Sequence, residues 1–155
     1  MITMKTEIER LKKTRIFLLS LIKDLSAAQL NEIPSGFNNN IIWNLGHLII
    51  SQQGLCYTRS NIDAVVDEQF FSGYKTQTKP TGTATEKEIE TIKQLSVSVL
   101  DRLEDDYNKQ LFSNYTAFNT RYDIEIASID DAIDFLLFHE GLHLGYIMAM
   151  KKSIH

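Results

Sequence analysis

The stretch Ala132-Ile133-Asp134-Phe135-Leu136-Leu137-Phe138-His139-Glu140-Gly141-Leu142-His143-Leu144-Gly145-Tyr146-Ile147-Met148-Ala149-Met150 decides the fold. At alternating steps of four and three it gives Ala132, Leu136, His139, His143, Tyr146 and Met150, which is the repeat of a helical bundle seam. A helix starting near Ser128 to Asp130 therefore has one face to pack against partners. That face carries two imidazoles four residues apart. In a helix both rings leave the same side and can grip one metal ion.

Three further helices are predicted upstream. The first, from about Thr6 to Leu25, aligns Ile8, Leu11, Leu18, Leu21, Ile22 and Leu25, and Glu9 with Lys13 forms a favourable i,i+4 pair. The second runs from about Asn38 to Ser60. The third opens on Thr85-Glu86-Lys87-Glu88, which matches a capping box, and turns Ile89, Ile92, Leu95, Val99 and Leu103 inward. Two long connections, 61–84 and 108–127, carry Phe70-Phe71-Ser72-Gly73-Tyr74 and Leu111-Phe112, Tyr115, Phe118 and Tyr122. Aromatic loops of that length are expected to pack over one end of the helices, the second with room for a short hairpin. Pro34 and Pro80 both fall between helical segments. The expectation is all-α: a four-helix bundle of up-and-down type, residues 1–155 as a single domain, with two long aromatic-containing loops.

Composition narrows the function. A chain of 155 residues can bury a substantial core without disulfides. A formal net charge of -4 argues against nucleic-acid binding, which wants a basic stripe. The single cysteine, Cys56, cannot form an internal disulfide and fits a reducing compartment. The basic and apolar run from Lys5 to Ile22 is interrupted by Glu7 and Glu9 and closed by Lys23-Asp24, so it reads as a helix and not as a signal peptide. No segment reaches the roughly 18 apolar residues that cross a membrane. A cytoplasmic protein is expected, with no membrane partner.

The chain has four histidines. A lone histidine on an apolar helix face is most often an ordinary core residue. An i,i+4 pair on a seam is different, because two neutral imidazoles there need hydrogen-bond partners and two protonated ones repel. Metal ligation removes the difficulty. His-Glu-x-x-His is also the zincin protease motif, in which the glutamate polarises water at the metal. The extended form of that motif would need glycine at Tyr146 and histidine at Ala149, and only twelve residues follow His143. His155, the terminal residue, is expected to be frayed and solvated. The third ligand is then expected from an earlier helix, where His47 is the remaining internal histidine. By helical geometry His47 points with Asn40, Trp43, Ser51 and Gly54 into a mixed polar and aromatic patch, Asn44 lies nearby, and Cys56 falls nearly opposite. Three neutral imidazoles leave a tetrahedral ion one open position.

Trp43-Asn44-Leu45-Gly46-His47-Leu48, His139-Glu140-Gly141-Leu142-His143-Leu144-Gly145 and Lys79-Pro80-Thr81 together resemble the DinB/YfiT-like metalloenzyme family. The resemblance spans nearly the whole chain. It implies a four-helix bundle with His47, His139 and His143 around a divalent ion, often zinc or nickel, in a protein that pairs as a homodimer. Some members of that family are thiol-dependent S-transferases. Related sequences often carry glutamine where this chain has Tyr146.

The expected function is a metal-dependent enzyme acting on a small-molecule substrate, with a low-molecular-weight thiol as one candidate. The metal would make a nucleophile at neutral pH from a thiol (transferase) or from water (hydrolase). Glu140 is the candidate catalytic residue, either as a base or as a group holding an imidazole; its plain alternative is a solvated helix residue. Asn44 and Tyr146 are candidate pocket residues. The non-enzymatic alternatives are a metal-stabilised bundle that binds a small molecule or partner without turnover, and a structural dimer that binds metal only adventitiously.

Overall fold

A computed structural model describes residues 4–155. The chain is mostly helical, with one two-stranded antiparallel sheet. Four helices are long: α1 (Lys5–Ile22), α3 (Ile41–Gln52, extended by further turns), α5 (Glu86–Asn108) and α6 (Ile129–Ser153). Both α1 and α3 pack against both α5 and α6, which closes a ring of contacts around the core. Leu11 and Leu18 of α1, Leu45 and Ile49 of α3, Leu100 and Leu103 of α5, and Ile133 and Ile147 of α6 meet there, all fully buried.

Local chemistry sets the ends. Ser128 caps α6 through Asp131 N–H, and Asp130 and Asp131 lie in its positive first turn with Lys151 and Lys152 in its last. The expected capping box at Thr85 and Glu88 opens α5. Helix α3 is buried nearly all round, as its apolar sequence demands.

The second predicted helix differs in detail. It begins at Ile41 under an Asn40 cap, and after Gln52 it widens into a π turn (Gln53–Tyr57) and tightens into a 3₁₀ turn (Thr58–Ser60). Asn61 ends it in the left-handed conformation, φ 58°. Two short helices lie in segments read as loops. Ser26 and Gln29 form a capping box for α2 (Ala27–Asn31), and Asp67 caps α4 (Glu68–Tyr74) by accepting from Phe70 N–H. The 108–127 connection does contain a hairpin, β1 (Phe118–Asn119) against β2 (Glu125–Ile126), and it buries Phe112 and Ile126 in the core.

The inward face of α6 keeps Ala132, Leu136 and Met150 of the predicted seam and turns away from it in the middle, at His139, His143 and Tyr146. Its buried residues are Ala132, Ile133, Leu136, Glu140, Ile147 and Met150. The histidine pair flanks this face, and Tyr146 is 40% exposed. Among the described residues no helix is long and apolar enough to cross a membrane.

Candidate metal centre

Helices α3 and α6 bring His47, His139 and His143 together, with one candidate ligand nitrogen from each all within 4.8 Å of one another. The ring centroids are 5.2 Å (47–139), 4.8 Å (47–143) and 4.6 Å (139–143) apart. Three imidazoles around a tetrahedral ion with metal–nitrogen bonds of about 2.1 Å would place their centroids about 5.2 Å apart. The spacing fits a divalent ion.

The stretch from Trp43 to His47 builds most of this arrangement. Trp43 stacks on the His47 ring, 4.9 Å between centroids and 8° from parallel, and its own Nε1–H donates to Thr78 Oγ1 at 3.1 Å. Asn44 reaches across to α6, where its Oδ1 accepts from His143 Nδ1 at 2.8 Å. Its Nδ2 donates to Asn40 O and Asn39 Oδ1, which fixes which way the amide faces. Gly46 has no side chain for a physical reason: a Cβ there would lie 2.3 Å from the Tyr74 ring. The ring resting on this bare patch brings the Tyr74 carbonyl to His47 Nδ1 at 2.8 Å.

These partners set the tautomers. A carbonyl oxygen only accepts, so Nδ1 carries the proton in His47 and in His143 and Nε2 keeps the lone pair. In His139 the Nδ1 atom is buried with no hydrogen-bond partner among the described residues. Such an atom is costly unless something binds it, and a cation among three lone pairs is what this donor set suits.

Electrostatics keep the rings neutral. Burial, then the neighbouring His143 and His47, pushes His139 down to about 3. Burial and His47 push His143 down to about 4. His47 is lowered too, by burial first, against the opposing pull of the Tyr74 carbonyl. At neutral pH all three imidazoles are free bases.

The cluster opens on a cavity of about 920 Å³. Trp43, Phe71, Phe118, Tyr122, Phe135 and Tyr146 give it an aromatic wall, and Ser51, Thr58, Asn61, Gln77 and Asn119 add polar groups. Ser51, Gly54 and Tyr146 stand on this wall as the sequence suggested. Asn40 caps α3 instead, and Asn44 serves His143.

Glu140 lies elsewhere. It is 1% exposed, so the solvated reading is corrected, and it is absent from the cavity wall. Its Oε1 accepts from Arg15 Nε at 2.7 Å and also from Arg15 Nη2. Arg15 further donates from Nη1 to Ser96 O at 2.9 Å and from Nη2 to Leu48 O at 3.0 Å. One guanidinium thus ties α1, α3, α5 and α6 together. A carboxylate held in this way does not face the cavity as a base, and the zincin reading loses its glutamate. Arg15 had a signal in the sequence, because it falls on the apolar stripe between Leu11 and Leu18, where a solvated arginine has no place. Tyr74 had none, since its contribution is a backbone carbonyl.

The remaining candidates lie away from the cluster. His155 is solvent-exposed and paired with Glu32 at 2.9 Å, so it is tethered and not frayed. Cys56 is fully buried in the core, and burial pushes its thiol up.

No curated protein and no solved structure matches the chain. The sequence model of the DinB superfamily matches residues 10–147, from α1 through both histidine-bearing helices, and the chain therefore belongs to the DinB superfamily.

Proposed function

We propose that His47, His139 and His143 hold a divalent metal ion, zinc or nickel, with an open position toward the aromatic cavity, and that the protein is a metal-dependent enzyme for a small-molecule substrate. The observation that carries this is the convergence of three neutral imidazoles, two with Nδ1 tied off by Tyr74 and Asn44, on the wall of a 920 Å³ cavity. An ion there would lower the pKa of a thiol or water that reached the open position. Thiol transfer is the leading reaction. The polarisable sulfur suits zinc or nickel, and the aromatic wall would keep bulk water from competing with it.

The protein's own groups orient and exclude. Trp43 and the Tyr74 carbonyl fix the His47 ring, and Asn44 fixes His143. Glu140 acts through Arg15 on the packing of α6, as a positioning residue. The ring of contacts among α1, α3, α5 and α6 supports a four-helix, up-and-down bundle as one DinB-like domain. Exposed Ile16 and Phe17 on α1, with Phe138, Leu142 and Met148 on α6, support pairing into a homodimer.

Metal analysis of the purified chain, before and after loading with zinc or nickel, tests the site. About one equivalent is expected, lost in His143→Ala and weakened in His47→Ala. Failure to take up either metal sinks the reading. Transfer assays pairing small thiols with electrophiles, run beside ester and amide hydrolysis, then test the reaction. Metal-dependent turnover only in hydrolysis would replace the transferase assignment, and turnover in neither would favour a binding module.

A further inference from the structure

We propose that Arg59 and Arg121 make the cavity beside the histidine cluster a receptor for a small organic anion, a carboxylate or phosphate group carried on an apolar body. This rests on the cavity being the ligand site of the proposed function, and it names the class of ligand.

The charge on the wall runs against that of the chain. Acidic residues outnumber Lys and Arg by 20 to 16, yet among the described residues the charged side chains lining this cavity are Arg59 and Arg121, with no Asp or Glu. The arginines that do pair with carboxylates are Arg10, Arg15 and Arg102. Neither cavity arginine has a carboxylate within 4 Å among the described residues. Arg59 is nevertheless held in place. Its guanidinium lies 4.0 Å over the Phe118 ring, and its backbone carbonyl accepts from Thr116 N–H at 2.7 Å. A guanidinium stacked by its face keeps its edge N–H groups free, and that edge matches the fork of a carboxylate or phosphate. Arg121 sits in the β1–β2 hairpin on the cavity wall, its guanidinium 5.2 Å from the centroid of the Tyr122 ring. The two cations face a wall of aromatic rings that suits the apolar body.

Isothermal titration with phenylacetate, phenyl phosphate and neutral phenylacetamide tests this in the full chain, both chelator-treated and zinc-loaded. At least one anion is expected to bind roughly tenfold or more tightly than the amide, the size of a charge-assisted hydrogen bond. Whichever anion binds more tightly identifies the headgroup. Arg59→Gln and Arg121→Gln should each weaken the anion about tenfold. Arg102→Gln, which removes the same charge from the Asp106 pair outside the cavity, should not. Arg121 is exposed and Arg59 half-buried, so both variants are expected to fold, which circular dichroism checks. In chelator-treated protein, equal binding of anion and amide overturns the proposal. So does wild-type anion binding by the Arg59→Gln/Arg121→Gln double variant, or no binding of either anion at millimolar concentration. Zinc uptake is read separately, so failure of the metal site and failure of the anion site are distinguishable.

Discussion

Replacing Arg15 with Met should cost the metal-free protein about 3–5 kcal/mol, the range for breaking a buried ion pair from one side. Arg15 and Glu140 are each 1% exposed. Loss of the guanidinium leaves a carboxylate in the core with no counter-charge, and it strips two carbonyls, Ser96 O and Leu48 O, of a donor. Among the described residues Glu140 Oε2 already lacks a partner, so the stranded group has none to turn to. For a chain of this length each kcal/mol moves the melting temperature by about 2–4 °C, giving a fall of about 6–20 °C. The double variant Arg15→Met/Glu140→Leu removes the charge from both sides and fills the space with apolar atoms. It should recover to within about 1 kcal/mol of the wild type, or exceed it. Urea unfolding of the four cycle members, with chelator present so that bound metal adds nothing, gives the coupling directly. A single variant costing less than about 1 kcal/mol, or a double variant whose loss is the sum of the singles, would refute the reasoning from an isolated buried pair.

Further outcomes follow from the residues around the cluster. Gly46→Ala places a methyl 2.3 Å from the Tyr74 ring and should move the Tyr74 carbonyl off His47, lowering metal affinity about 10–100-fold; Gly46→Ala/Tyr74→Ala, which relieves the clash, should recover part of it. Competition with a chromophoric chelator measures both, and unchanged affinity in Gly46→Ala would remove the carbonyl's role. Asn44→Ala should lose a similar factor through His143, while Asn44→Asp, which keeps the acceptor oxygen, should lose less. The low values of His139 and His143, about 3 and about 4 against 6.5 when unfolded, mean that the unfolded chain binds more protons between those limits. Stability of the metal-free protein should therefore hold above about pH 6.5 and drain away as pH falls toward 4, with a flatter slope in His139→Leu/His143→Leu. Equal urea midpoints at pH 7.5 and pH 5 would contradict this. Cys56, buried and with its thiol pushed up, should react with a thiol reagent only as fast as the chain opens.

Much of this was legible in the sequence because helices advertise their periodicity. The long helices, the Thr85 capping box and the histidine pair follow from spacing, and His47 follows as the remaining internal histidine. What escaped was set by contacts between segments distant in the chain. Arg15 joins four helices through Glu140, Ser96 and Leu48, none nearer than 33 residues. The α6 seam keeps Ala132, Leu136 and Met150 but turns by one residue in its middle, Glu140 and Ile147 in place of His139 and Tyr146, because with Arg15 in the core the carboxylate goes inward. Helix α4 was missed because seven residues hold too little periodicity to show, although Asp67 ahead of Phe70 was a usable cap. Gly46 could be read only as a small residue on an apolar helix. Its purpose depends on a ring 28 residues away in the chain.

The site divides by origin, and the division bears on how it would work. The three imidazoles stand on α3 and α6, and the residue following His47 and the one following His139, Leu48 and Glu140, are both bound to Arg15. The relative position of those two imidazoles is therefore set one residue away, at a buried point off the cavity wall. Both arginines that would meet an anion come instead from the turns after α3 and from the segments between helices, with Gln77, Phe118 and Tyr122 beside them, while α3 and α6 add Trp43, Ser51, Phe135 and Tyr146 to the wall. Rigid helices suit a metal, whose ligands tolerate displacements of only tenths of an ångström, and connections can vary in side chain and length without moving the helices. Exchanging the 116–122 segment should accordingly change which small molecules bind and leave zinc affinity within a few-fold of the wild type. A substitution at Arg15 should do the reverse, loosening the metal while leaving Arg59, Arg121 and the rings of the connecting segments in place. If the segment exchange weakened zinc as much as His143→Ala does, the hairpin would belong to the metal site itself, and the division would fail.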